Sequence, residues 1–180
     1  MTRLLGVVLA GGQARRFGRD KALAMLDGLA LLDHAAQALR PVSEDIAVVG
    51  RDHPIYVSIA DWPAAGLGPL GGLCGALRHA RDRHFDAVLT LPCDTPSLPA
   101  GLLADLAGRR VASFVAGTPV IGLWPSALAD RLSDYLGGGG DLAVSAWAKA
   151  IGAEALEGWP AIPNVNRPDD LAVLRGMADR

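Results

Sequence analysis

Apolar residues fall along this chain in two alternating patterns. Unbroken runs at Leu4–Leu9, 46–49 and 87–91 are almost wholly apolar and short, which predicts strands buried on both faces. A weaker run of the same kind covers 55–59. Between the first two, residues 31–40 set Leu32, Ala35, Ala36 and Leu39 on one stripe at helical spacing, and Pro41 stops the pattern.

The glycine-dense stretch 66–72, with Pro69 inside it, reads as a loop, and helical spacing predicts a helix over 73–83. Residues 102–107 form a short helical pattern after Pro99. Two strand-like runs, 111–115 and 119–123, meet at Gly117 and predict a hairpin. Residues 126–136 and 142–151 read as helices around Gly137–Gly140. A last short strand is expected over 162–165, and Pro168 suits the first position of a final helix, with Asp169 and Asp170 near its positive end.

Strands alternate with helices over roughly the first 110 residues, which predicts a parallel sheet with right-handed crossovers. The hairpin at Gly117 adds an antiparallel element. No internal repeat and no linker divides the chain, so residues 1–180 are expected to form one domain, long enough to bury about 70% of the unfolded surface. Half of the residues are apolar and few are aromatic, which fits an Ala/Leu/Val-rich α/β core. A net charge of −2 argues against nucleic-acid binding. No apolar stretch reaches membrane-span length, and Leu4–Ala10 is short for a secretion signal and runs into Arg15-Arg16, so a cytoplasmic location is expected. Cys74 and Cys93 make neither a C-x-x-C pair nor a zinc set.

Against that neutral background, the segment after the first strand stands out: Ala10-Gly11-Gly12-Gln13-Ala14-Arg15-Arg16-Phe17-Gly18-Arg19-Asp20-Lys21. Its glycines let backbone turn and approach a ligand, and Arg15, Arg16 and Lys21 lie within one loop's reach. Backbone N–H groups with Arg and Lys hold polyphosphates. The segment is neither a P-loop nor a G-x-G-x-x-G dinucleotide fingerprint.

Pro92-Cys93-Asp94-Thr95-Pro96 also follows a strand directly. In an open α/β sheet both segments can converge on a cleft beyond the strands' carboxyl ends. Prolines on either side restrict the backbone of Asp94, and one carboxylate with phosphate oxygens and waters is a common Mg²⁺ set. Asp94 could equally cap its own turn. Gly68-Pro69-Leu70-Gly71-Gly72 would let a backbone approach a flat base. Asn164 and Asn166, two positions apart, share one face of an extended segment. The histidines form no constellation, and Cys93 has nothing adjacent to activate it.

These pieces together resemble the molybdenum cofactor guanylyltransferases, over essentially the whole chain: Leu9-Ala10-Gly11-Gly12, Arg16-Phe17-Gly18, Asp20-Lys21, Gly68-Pro69-Leu70, Pro92-Cys93-Asp94-Thr95-Pro96 and Asn164-Val165-Asn166-Arg167-Pro168. The resemblance implies a three-layer, Rossmann-like nucleotidyltransferase fold. It implies an enzyme that uses GTP and Mg²⁺ to join GMP to molybdopterin, releasing pyrophosphate, with molybdenum-cofactor biosynthesis proteins and molybdoenzyme apoproteins as candidate partners. It further implies that Leu9, Ala10, Gly11, Gly12, Lys21, Asp61, Gly68 and Asp94 form the nucleotide site. Asp94 would bind the metal, Arg16 and Lys21 would serve catalysis, and Asn164 and Asn166 the second substrate. The chain departs from the family pattern in three places. Gly50 stands where Asn is frequent, the hairpin at Gly117 is short, and Gly137–Gly140 replaces a basic loop. A cytidylyltransferase acting on molybdopterin or on a sugar or alcohol phosphate, and a non-catalytic nucleotide-binding protein, are the alternatives.

Overall fold

Leu9, the last residue of strand β1 (Leu4–Leu9), pairs with Val49 on one side and Pro92 on the other, so three strands end at one level. The computed structural model describes residues 2–11 and 20–171. It places β1 between β4 (Asp45–Val49) and β6 (Ala87–Pro92), both parallel to it. Small antiparallel strands β2 (Met25–Leu26) and β3 (Leu29–Ala30) lie apart from this sheet. Beyond β4 runs β5 (Val57–Ile59), whose Ile59 pairs with Val49 at the same level. On the far side, β8 (Thr118–Pro125) is antiparallel to β6 and to β7 (Ser113–Val115), and β9 (Glu154–Leu156) joins β7 in parallel. The order of the seven-stranded sheet is β5-β4-β1-β6-β8-β7-β9.

Helices cover both faces because the buried strands are apolar on both. Helix α1 (Leu31–Leu39) and α3 (Leu102–Ala107) pack on the face carrying Leu4, Val8, Val48 and Leu91. Helix α2 (Gly68–Asp82), α4 (Ala129–Gly137) and α5 (Val144–Ile151) cover Leu5, Val7, Ala47 and Val88 on the other. The expected three-layer α/β architecture, with a mostly parallel sheet and an antiparallel hairpin, is what forms.

Several boundaries differ from the sequence reading. Helix α2 begins at Gly68, not at 73, with Pro69 in its first turn. The glycines extend the helix rather than a loop because it lies almost against β5: a β-carbon on Gly75 would stand 2.1 Å from the Ala60 carbonyl oxygen. Residues 162–165 form no strand, and the last one, β9, lies earlier. The β2/β3 hairpin turns through Asp27 and Gly28, both at positive φ, as a two-residue Asp-Gly hairpin requires. Pro168 does open a helical turn over 168–171, and the Asp170 carboxylate accepts from the N–H groups of Asn166 and Arg167 at 2.7 and 2.8 Å. Among the described residues, no helix is long and apolar enough to cross a membrane.

Candidate active site

Because β1, β4, β5 and β6 end level, the segments that leave them start side by side. Cys93 N–H donates to the Leu9 carbonyl at 3.1 Å, and Ala10 N–H to the Val49 carbonyl at 3.0 Å, which carries the sheet one step past its formal ends. The N–H of Ala10 is therefore committed to the sheet. Gly50, at φ +88, passes so near the first loop that a β-carbon there would stand 2.4 Å from the Gly11 α-carbon. The frequent Asn of the family pattern would not fit this approach without displacing one of the two loops.

Two cavities open above these strand ends. The first, about 530 Å³, is lined by Leu9, Ala10, Gly11, Lys21, Asp94, Asn164 and the hairpin residues Gly117 and Thr118. The second, about 600 Å³, lies over β4 and the start of α2 and is lined by Val49, Gly50, Asp61, Gly66, Gly68 and Gly72. Leu9, Gly11 and Pro69 line both.

Lys21 and Asp94 meet in the first cavity, with Nζ 2.8 Å from Oδ2 and side chains 17% and 25% exposed. Lys21 Nζ also donates to Asn166 Oδ1 at 3.3 Å. Val165 N–H donates to the Asp94 carbonyl at 2.7 Å, which ties residues 164–166 to the turn after β6. Asp94 does not cap that turn with its carboxylate. The Thr95 hydroxyl closes it instead, donating to the Pro92 carbonyl at 3.0 Å, and the carboxylate is left facing the cavity.

Lys21 is presented by a three-residue 3₁₀ turn, Lys21–Leu23, whose N-cap is Asp20; Ala22 N–H donates to Asp20 Oδ1 at 3.1 Å. Arg51, one residue after Gly50, grips the same carboxylate with both terminal nitrogens, NH1 lying 2.7 Å from Oδ1 and NH2 on Oδ2. Hydrogen bonding to Arg51 holds the Asp20 carboxyl below the usual carboxylate range and raises the guanidinium in return. Sequence reasoning missed Arg51, since no local pattern joins it to Asp20.

Cys93 is buried in the cavity wall. Burial and then the neighbouring Asp94 carboxylate push its thiol up to about 11, against the opposing pull of Lys21 and Arg51.

Of the residues expected in the site, Leu9, Ala10, Gly11, Lys21, Asp94 and Asn164 line the first cavity, and Asp61 and Gly68 the second. Asn166 reaches Lys21. Gly12 and Arg16 lie outside the described residues. Gly137–Gly140 ends α4 and lines neither cavity.

Paired cavities at the carboxyl ends of parallel strands, joined by a glycine loop and flanked by a Lys–Asp pair, define a nucleotide-handling α/β protein. Residues 6–152 match the MobA-like NTP transferase domain, and the chain belongs to that family. A molybdenum cofactor guanylyltransferase of Cereibacter sphaeroides is 37% identical over 184 aligned residues, covering 94% of each chain. One from Rhizobium meliloti is 33% identical, covering 92% of this chain and 87% of its own. Among solved structures, molybdopterin-guanine dinucleotide biosynthesis protein A from Archaeoglobus fulgidus superposes with a TM-score of 0.73 at 22% identity, covering 97% of this chain and 98% of its own. The 2-C-methyl-D-erythritol 4-phosphate cytidylyltransferase from Thermus thermophilus gives the same TM-score at 17% identity and the same coverage. Both share the fold.

Proposed function

We propose that this protein transfers GMP from GTP to molybdopterin, forming the guanine dinucleotide cofactor and pyrophosphate. The observation that carries this reading is the Lys21–Asp94 pair in the first of two cavities of comparable size that share Leu9, Gly11 and Pro69. A reaction that joins two bulky substrates needs two adjoining sites and charged groups where their phosphates meet. The identity to guanylyltransferases along nearly the whole chain supports the choice of base and acceptor.

In this reading guanosine lies over Gly68 and Asp61 in the second cavity, and the triphosphate runs across Gly11 toward Lys21. An oxygen of the molybdopterin phosphate attacks the α-phosphorus in line, and the bond to the β-phosphate breaks as pyrophosphate leaves. Lys21 neutralises charge gathering on the leaving group, a contact worth most in the transition state. Asn164 and Asn166 orient the acceptor, and Asn166 also directs the Lys21 ammonium. No protein nucleophile takes part, which agrees with a Cys93 thiol kept protonated. Gly12 and Arg16 complete the phosphate-binding loop.

Asp94 fits a Mg²⁺ ion. It offers one carboxylate to the cavity, which suits an ion that keeps waters and takes substrate phosphates. Mg²⁺ held there would polarise the phosphoryl oxygens and act as a template for both substrates. The reading places the reaction in the cytoplasm, with molybdenum-cofactor biosynthesis proteins and molybdoenzyme apoproteins as partners.

The test is kcat/KM for GTP and CTP with molybdopterin and Mg²⁺. Guanine presents N1–H, N2–H₂ and O6, and a site built for those groups leaves buried polar atoms unpaired when cytosine enters. GTP is expected to be favoured at least about tenfold, or about 1.4 kcal/mol. Equal values would remove the guanylyl assignment, and preference for CTP would make the protein a cytidylyltransferase.

A further inference from the structure

Among the described residues, Arg51 is a cation at the strand ends to which the reaction assigns no part. It leaves β4 immediately after Gly50, and the left-handed φ of Gly50 with its close approach to Gly11 fixes the direction of departure. The side chain closes on Asp20 as a two-pronged pair, with only a fifth of it exposed. Asp20 in turn caps the turn that carries Lys21. Three residues of 3₁₀ helix have almost no stability of their own, so the turn depends on what grips its ends. At its far end, Leu31 N–H donates to the Ala24 carbonyl at 3.0 Å. At its near end the grip is Asp20, and through Asp20, Arg51.

We propose that Arg51 is a positioning residue for nucleotidyl transfer: by clasping Asp20 it sets Lys21 against Asp94 and the triphosphate. The proposal rests on the functional reading above for its ligand, GTP. The clasp itself is a property of the free protein. A planar fork matched to a carboxylate fixes direction as well as distance, and a reacting group displaced by about 1 Å can lose about a hundredfold in rate.

Two measurements test it. In the first, GTP affinity with Mg²⁺ is measured by calorimetry for wild type, Arg51→Ala, Asp20→Asn, Lys21→Ala and the Lys21→Ala/Arg51→Ala pair. Asn keeps the cap on Ala22 but discards the charge that Arg51 grips, so D20N separates clasp from cap. R51A and D20N are each expected to weaken GTP by about tenfold or more. In the K21A background R51A should change affinity by less than about threefold, because the lysine it positions is gone. An R51A variant that binds like wild type overturns the proposal. So does a full loss retained in the K21A background, which would mean that Arg51 touches the nucleotide itself.

The second measurement needs no nucleotide. Amide hydrogen exchange at Ala22 and Ala24 should be faster in R51A and D20N than in wild type, and unchanged exchange overturns the clasp. A wild-type protein that prefers CTP or binds neither nucleotide would defeat the functional reading, and the exchange rates would still decide the role of Arg51.

Discussion

Lys21 Nζ and Asp94 Oδ2 stand 2.8 Å apart although 73 residues separate them in sequence. The pair exists because β1 and β6 are neighbours that end level, so two loops distant in the chain start side by side. Both side chains line the first cavity, with the ammonium on one carboxylate oxygen. In the proposed reaction, Lys21 and a divalent cation would compete for Asp94 until a triphosphate drew the lysine away.

Asp94→Asn is expected to reduce kcat on the order of a hundredfold or more, with the melting temperature changed by only a few degrees. The substitution keeps the shape of the side chain and removes the charge that would hold Mg²⁺. Turnover near that of wild type, measured with saturating GTP and molybdopterin, would take Asp94 out of the metal site.

For Lys21→Ala, GTP should lose more affinity than GMP, since the lysine is assigned to the distal phosphates. A charge-assisted contact is worth about 1.5–3 kcal/mol, or about ten- to a hundredfold. In the absence of nucleotide, Mn²⁺ binding followed by electron paramagnetic resonance should be no weaker than in wild type, because the competing ammonium has gone. Weaker Mn²⁺ binding would contradict the competition.

Gly50→Ala should destabilise the fold by about 1–3 kcal/mol. Its β-carbon would stand 2.4 Å from the Gly11 α-carbon, and the backbone sits at φ +88. Chemical denaturation measures the loss, and a variant as stable as wild type would show that the two loops can part freely.

The two buried thiols make stability depend on alkaline pH. Burial is the main cause that raises Cys74 and Cys93 to about 11, whereas an unfolded thiol titrates near 8.5. The folded state therefore keeps these protons over a range where the unfolded state loses them, so each contribution is intact below about pH 8.5 and is lost as pH rises toward 11. Each thiol should account for at most about 3 kcal/mol across that range. In urea titrations at pH 8 and 10, the difference between the two midpoints should shrink in Cys74→Ala/Cys93→Ala. An undiminished difference would assign the alkaline loss to other groups.

What the sequence made legible follows from how locally each feature is determined. Strands β1 and β6 are read from their unbroken apolar runs, because both faces of a central strand are buried whatever packs on them. Helix α2 defeats that reading at its start. Gly71 and Gly72 look like loop residues, yet a β-carbon on each would meet Leu67 or Val49 within 3 Å, so close packing selects glycine inside a helix. Strand β9 has too few apolar residues to announce itself, and its ladder with β7 defines it. Residues 162–165 look like a strand because Val165 is buried, but the N–H of Val165 goes to the Asp94 carbonyl rather than to a ladder. The β2/β3 hairpin escapes a reading based on apolar runs, although Asp27-Gly28 between two apolar pairs carries its signal. Lys21 and Asp94 could be picked out because each sits in a distinctive motif, whereas the grip of Arg51 on Asp20 depends on where two strands end.

The sheet closes its margins by brevity. Strands β5 and β9, its outermost members, are three residues each, so either border offers only about 10 Å of unpaired backbone. A foreign strand gains too few hydrogen bonds there to dock, and long exposed borders are where sheets recruit other chains into aggregates. The brevity of its outer strands thus limits how far another chain could extend this apolar sheet at either flank.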